Sequence, residues 1–209
     1  MEKVFGIGII GTGVIALKHA QAIESLPNAK LLALFNPKPE SAQKAQPNYQ
    51  VPVFSEWERF TETPGLDVVC ICTPSGMHLE PALKAIEAGL HLFIEKPIEV
   101  TLGRADQLIQ AADQKGVRVG VVFQNRFSPD YLKLKNAVAA GEFGKLILGN
   151  ASVNWFRTAE YYSSSQWKGT LKGDGGGALI NQAIHTLDLL LEVMGEVYSF
   201  FGKKKTALY

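Results

Sequence analysis

An apolar, strand-like run over residues 4–10 opens onto Gly11-Thr12-Gly13-Val14-Ile15-Ala16, and a helical pattern follows over residues 14–26. No other feature constrains the chain as much as this strand, turn and helix. Two glycines one residue apart, with a small residue three positions later, fit G-x-G-x-x-G/A in the context that gives the pattern its meaning. Gly11 permits the tight turn, Gly13 leaves the backbone open to a close neighbour, and Ala16 lets the helix lie near the strand. The N–H groups of the first helical turn, with the helix dipole, favour an anion there. The spacing predicts a dinucleotide pyrophosphate held by Gly11, Thr12, Gly13, Val14 and Ile15.

About 20 residues on, this fingerprint normally places an acidic side chain on the adenosine ribose of NAD. Here the second strand, residues 30–35, ends in Asn36-Pro37-Lys38. Asn36 is neutral, so it bonds a ribose hydroxyl without repelling a 2′-phosphate, and Lys38 attracts one. The reading leans to NAD and leaves NADP open.

Beyond the turn, strand patterns over 51–54, 67–72, 90–94 and 117–123 alternate with helical patterns over 39–45, 79–88 and 102–115. Short apolar runs between helices of this length predict βαβ units and a parallel sheet buried on both faces. Residues 1–123 therefore form a doubly wound, Rossmann-type α/β domain. After Arg126 the character changes. A helix over 129–140 leads to an alternating strand over 145–156, a polar and aromatic loop, and Gly175-Gly176-Gly177. An apolar helix then runs to Met194, followed by a last strand over 196–201. Residues 124–209 read as a partial α+β domain, because two strands leave sheet edges open that native proteins cover.

Composition narrows the partners. With 21 basic and 20 acidic residues the net charge is +1, which gives no field to gather nucleic acid or an anionic membrane. Lys203-Lys204-Lys205 reads as a solvated tail. The chain begins Met1-Glu2-Lys3 without the apolar core of a secretory signal, and no apolar stretch reaches the roughly 18 residues of a membrane span. Cys70 and Cys72 alternate on one strand, so both face one way and are poorly placed to pair. They read as reduced, buried thiols of a cytoplasmic protein, and no His or Cys cluster has zinc-ligand spacing, so no metal is expected.

Taken together, five ordered motifs resemble the Gfo/Idh/MocA oxidoreductases, the family of glucose–fructose oxidoreductase and inositol dehydrogenase. They are the Gly11 turn, Cys72-Thr73-Pro74-Ser75-Gly76-Met77-His78, Glu95-Lys96-Pro97, Gln124-Asn125-Arg126-Phe127, and Gly175-Gly176-Gly177 with Asn181, His185 and Asp188. The resemblance covers nearly the whole chain. It implies a nicotinamide-dependent dehydrogenase moving a hydride to or from a hydroxyl-bearing carbon of a sugar, sugar acid, nucleotide-sugar or polyol.

It also implies roles. Lys96 would lie beside the nicotinamide and the reacting carbon. That is chemically sensible, because hydride leaves an alcohol carbon only when the hydroxyl proton is taken, and a lysine in a closed site can titrate near ~7–8. His185 would share acid–base work or orient the hydroxyl, with Asn181 four residues earlier on the same helical face. Many members carry aspartate where this chain has Asn181, which leaves a neutral hydrogen-bonding group there. Thr73, Pro74, Ser75, His78, Glu95, Lys96 and Gln124 would join the cofactor site. The substrate would meet Lys96, Arg126, Arg157, Tyr161, Trp167, Lys168, Asn181 and His185. His78 and His91 read as structural or cofactor-proximal, and His19 as an ordinary helix residue. Aromatics interleaved with cations over 157–168 suit sugar stacking plus contacts to an acidic or nucleotide portion. Members run on past the length of this chain, and the full-length protein is expected to be a homo-oligomer. Two other readings stand beside the dehydrogenase: an NAD-dependent glycosidase that oxidises transiently, and a non-catalytic sensor of dinucleotide or sugar.

Overall fold

A computed structural model describes residues 3–203 and 205. Met1, Glu2 and Lys204 of the terminal readings lie outside the described residues, while Lys203 and Lys205 are exposed. The chain divides into two compact units, Met1–Val122 and Phe123–Tyr209.

In the first unit the chain order is β1 (Phe5–Ile10), α1 (Val14–Glu24), β2 (Ala29–Phe35), α2 (Pro39–Ala45), β3 (Val53–Phe54), α3 (Trp57–Thr61), β4 (Leu66–Ile71), α4 (Leu79–Glu87), β5 (His91–Glu95), α5 (Leu102–Lys115) and β6 (Val119–Val122). The strands make one sheet in the order β3-β2-β1-β4-β5-β6, every pairing parallel. Strand alternation divides the core. Ile10, Phe35, Val69, Ile71, Leu92 and Ile94 face α4 and α5 residues such as Ile86 and Leu108. Ile9, Leu34, Cys70 and Cys72 face Ala16, Ala20 and Ile23 of α1. Both cysteines are free and buried on that one face, and burial pushes Cys70 up to about 12. Phe60 of α3, which sequence patterning missed, is fully buried against Phe35 and Trp57. Truncating such a ring costs about 3–5 kcal/mol.

The order reverses between β1 and β4, where the chain leaves β1 toward one side of the sheet and returns to the other. In open α/β sheets ligands bind beyond the carboxyl ends of the strands at this switch point. The Gly11 turn, Asn36, Thr73 and Lys96 follow the carboxyl ends of β1, β2, β4 and β5.

The second unit contains α6 (Pro129–Ala139), α7 (Ala159–Ser163), α8 (Leu171–Asp174) and α9 (Ile184–Met194). It corrects two expectations. Residues 145–156 and 196–201 are not strands, and the described part of this unit holds no sheet. Alternation alone does not make a strand. Its backbone N–H and C=O groups need a neighbour's ladder, and neither segment finds one among the described residues. The apolar helix after the glycines is also not uniform. Leu179–Ala183 is a π-helical segment, and α-helical geometry begins only at Ile184.

Candidate dinucleotide and substrate site

Gly11 sits at φ 103°, and a Cβ there would lie 2.8 Å from the Cys72 carbonyl oxygen. Only glycine fits this turn. Its N–H donates to the Phe35 carbonyl at 2.8 Å, tying the turn to β2. Gly13 is the N-cap of α1, and no side chain caps that helix or places an acid in its first turn. A Cβ on Gly13 would meet nothing within 4 Å. The protein thus leaves space over an uncapped helix N-terminus, which is what a pyrophosphate needs. The residues present fit a dinucleotide. Asn36 Nδ2 donates to Thr12 Oγ1 at 2.7 Å, and Asn36 Oδ1 accepts from the Lys38 N–H at 3.0 Å. The residue expected at the ribose is therefore bonded into the phosphate turn.

Lys96 is half-buried and flanked by two clamps. On one side, the Glu95 carboxylate meets His19 Nε2 of α1 at 2.8 Å, both side chains mostly covered. On the other, His78 is 1% exposed, with Nδ1 2.9 Å from the Pro97 carbonyl and Nε2 3.0 Å from the Thr73 carbonyl. His78 is thus an internal bridge between the loops after β4 and β5. Burial holds its pKa below the ordinary imidazole value, although the two carbonyls favour the charged ring. Thr73 Oγ1 donates to the Met77 carbonyl, and Ser75 is buried in the same turn. Lys96–Pro97 is a cis peptide.

A buried carboxylate supports this loop. Glu99 accepts from the N–H groups of Leu79 (3.0 Å) and Val100 (2.8 Å) and from Arg104 (2.9 Å), and Arg104 also holds Glu80. Burial alone would raise the Glu99 pKa, but these donors outweigh it and hold the carboxyl below its usual range.

In the second unit His185 opens α9 with its ring edge-on to Phe123, centroids 5.9 Å apart. Gln124 is exposed at the start of a short 3₁₀ turn, Gln124–Phe127. Arg126 forms a two-pronged pair with Asp188 on α9, Nε–Oδ2 2.7 Å and Nη2–Oδ1 2.5 Å. Asp188, left outside the sequence-based site, is thus the partner of a residue placed inside it. Arg157 lies 5.0 Å from the Tyr161 ring centroid and Lys168 Nζ 4.3 Å from the same centroid. Trp167 packs its Cβ over Gly173. Asn181 Nδ2 donates to Asp174 Oδ1 at 2.5 Å and Asn181 Oδ1 accepts from Gln182. The π-helical turn just before His185 replaces the continuous α-helix on which the expected Asn181–His185 alignment was based. An apolar cavity of about 320 Å³ lies between α6 and α9, bordered by Tyr131, Leu134, Leu148, Leu190 and Met194, and no candidate site residue lines it.

Sequence reading missed His19, Glu99, Arg104, Asp174 and Gln182 as supports. Their partners lie far along the chain or across a turn, and only the fold reveals those pairings. Among the described residues no group of acidic, His or Cys side chains could hold a metal, and no helix is long and apolar enough to cross a membrane.

This fold and these motifs define a class. Residues 5–123 match the model of an oxidoreductase family with an NAD-binding Rossmann fold, and residues 131–208 match the GFO/IDH/MocA C-terminal domain. The chain belongs to the Gfo/Idh/MocA oxidoreductase family. Among its relatives, scyllo-inositol 2-dehydrogenase (NADP(+)) IolW of Bacillus subtilis is 28% identical over 97% of this chain and 57% of its own length. The scyllo-inositol 2-dehydrogenase (NAD(+)) of the same organism is 30% identical over 97% of this chain and 58% of its own. The WlbA dehydrogenase of Bordetella pertussis, solved with NADH and UDP-GlcNAcA, superposes with a TM-score of 0.86 at 32% identity, over 93% of this chain and 58% of that one. The chain therefore spans under three-fifths of the length of these relatives.

Proposed function

We propose that this chain carries the cofactor-binding and catalytic residues of an NAD(P)-dependent dehydrogenase acting on a hydroxyl of an acidic or nucleotide-linked sugar. One observation carries the reading: Lys96 lies between two anchored neighbours, Glu95 and Pro97, beyond the strand ends that also bear the uncapped glycine turn. Bound at that turn, a nicotinamide dinucleotide supplies the hydride acceptor or donor. Gly11, Thr12, Gly13, Val14 and Ile15 hold its phosphates, Asn36 its ribose, and Thr73, Pro74, Ser75, Glu95 and Gln124 its nicotinamide half, with His78 bracing that loop. Lys96 Nζ takes or returns the substrate hydroxyl proton, and His185 shares that work or fixes the hydroxyl. Asn181, Arg126, Arg157, Tyr161, Trp167 and Lys168 bind the sugar. Two cations over the Tyr161 ring support an anionic substrate portion, in keeping with the UDP-GlcNAcA complex of the WlbA relative.

The neutral Asn36 and adjacent Lys38 support acceptance of both NAD and NADP, with NAD slightly favoured. Two free, buried cysteines support a reducing, cytoplasmic setting. In single-turnover absorbance with NAD⁺ and UDP-GlcNAcA, Lys96→Met is expected to abolish formation of the reduced-nicotinamide band while dinucleotide affinity stays within about tenfold. His185→Ala should slow the step about 10²–10⁴-fold, as for a general acid–base group. A Lys96→Met protein as fast as the parent refutes the assignment.

A further inference from the structure

Asp174 is 1% exposed and stands outside every motif above. Its carboxylate accepts twice, from the Gly169 N–H at 2.9 Å and from Asn181 Nδ2. From Asn181 the bonds continue in one direction. Gln182 Nε2 donates to Asn181 Oδ1 at 3.1 Å and to the Tyr161 hydroxyl at 3.1 Å, and Arg157 Nη2 donates to Gln182 Oε1 at 2.8 Å. The two ends admit no ambiguity. A carboxylate only accepts and a guanidinium only donates, so the orientation of both amides between them is dictated. The result is a head-to-tail ladder, Arg157 to Gln182 to Asn181 to Asp174, in which a cation and an anion polarise two neutral amides.

We propose that Asp174 is a positioning residue. It fixes the polarity of the Asn181 side chain and, through Gln182, holds the Arg157 guanidinium over Tyr161, where Lys168 also sits. The functional half of this inference rests on the acidic-sugar reading above. The ladder itself does not.

Asparagine at 174 has one acceptor for two donors. To bond it, Asn181 must flip, Gln182 must flip in turn, and an NH₂ group then confronts Arg157. Exchanging the pair, Asp174→Asn with Asn181→Asp, restores every donor–acceptor match. Its amide carbonyl still accepts from Gly169, and its NH₂ donates to the new carboxylate.

The test is ¹⁵N-edited NMR of the 209-residue chain, following solvent exchange of the Gln182 side-chain amide and the Arg157 guanidinium. In Asp174→Asn both signals should exchange about tenfold faster, the scale of one charge-assisted bond. The exchanged pair should return Gln182 and Arg157 to parental protection. Gln182→Leu keeps Asp174 bonded to Asn181, so it should speed exchange at Arg157 while leaving the Asp174–Asn181 bond in place, and serves if Asp174→Asn does not fold. A guanidinium equally protected in the parent, Asp174→Asn and Gln182→Leu overturns the proposal, as does failure of the exchanged pair to restore protection.

Calorimetric binding of UDP-GlcNAcA to the dinucleotide-loaded chain tests the functional half. If Asp174 acts through Arg157, the losses caused by Asp174→Asn and Arg157→Ala should not add in the double variant. Additive losses reject that half. If the parent shows no UDP-GlcNAcA binding while the NMR results hold, the substrate reading fails and the ladder stands.

Discussion

His78 shows what one buried ring does to the pH dependence of the fold. Burial favours its neutral form in the native state, whereas an imidazole in the unfolded chain titrates near about 6.5. Between that value and the lowered native one, the unfolded state binds more protons. The sign follows: stability is kept above pH ~6.5 and declines as pH falls through the window. The melting temperature of the parent should drop more between pH 7 and pH 5 than that of His78→Gln, and parallel curves would reject this role. At Asn36 the prediction concerns charge. Asp in its place still accepts from Thr12 Oγ1–H and the Lys38 N–H, so the turn survives, but a carboxylate repels a 2′-phosphate. Asn36→Asp should weaken NADPH binding at least tenfold, measured by fluorescence titration, and leave NADH within a few-fold. Equal losses for the two cofactors would remove Asn36 from the ribose. The Gly11 turn was legible in the sequence because it sits in a motif of fixed local spacing, and Lys96 came forward only through the family resemblance. Asp174 and Glu99 were not legible, because their meaning lies in partners that only folding supplies.

At the scale of elements, the parallel half was legible to within about two residues, except for α3, which local patterning did not show. The α5 pattern ran from Leu102 to Lys115, and the helix has those bounds, capped by Thr101 and ended by Gly116 in the left-handed region. Local signals and tertiary packing agree there. They diverge in the second unit, where alternating residues at 145–156 and 196–201 lack ladder partners among the described residues. The loop network around Glu99 joins the ends of α4 and α5 to the Lys96 loop. Arg104→Ala would leave a fully covered carboxylate with two backbone donors and no cation. Since Arg104 is itself a third exposed, the cost should fall near 2–4 kcal/mol, below the most deeply buried pairs. Urea denaturation measures it, and a loss under 1 kcal/mol would show that Arg104 contributes little to the loop.

Over the whole molecule, the two units differ in what they leave uncovered. The first packs helices on both faces of its sheet, with Phe93 the most exposed apolar side chain of its inner strands, while the second exposes Ile147, Leu148, Phe156, Phe200 and Phe201 along segments without ladder partners among the described residues. Apolar patches of this kind mark interaction surfaces. Sedimentation velocity should therefore show self-association that grows with concentration and that Ile147→Lys with Leu148→Glu diminishes; a monomer at every concentration would contradict this. The central claim, that the Gly11–Gly13 turn is the cofactor site, meets its most direct test in Gly13→Val. The backbone there has φ −76° and ψ −177°, which valine adopts, and a Cβ meets no protein atom within 4 Å. The fold should therefore be unaffected, and the loss should fall on the ligand alone. Titrating NADH by fluorescence against the parent and Gly13→Val, with melting temperatures recorded for both, should give equal melting and at least tenfold weaker binding in the variant. Unchanged NADH affinity in a folded Gly13→Val protein would contradict the account.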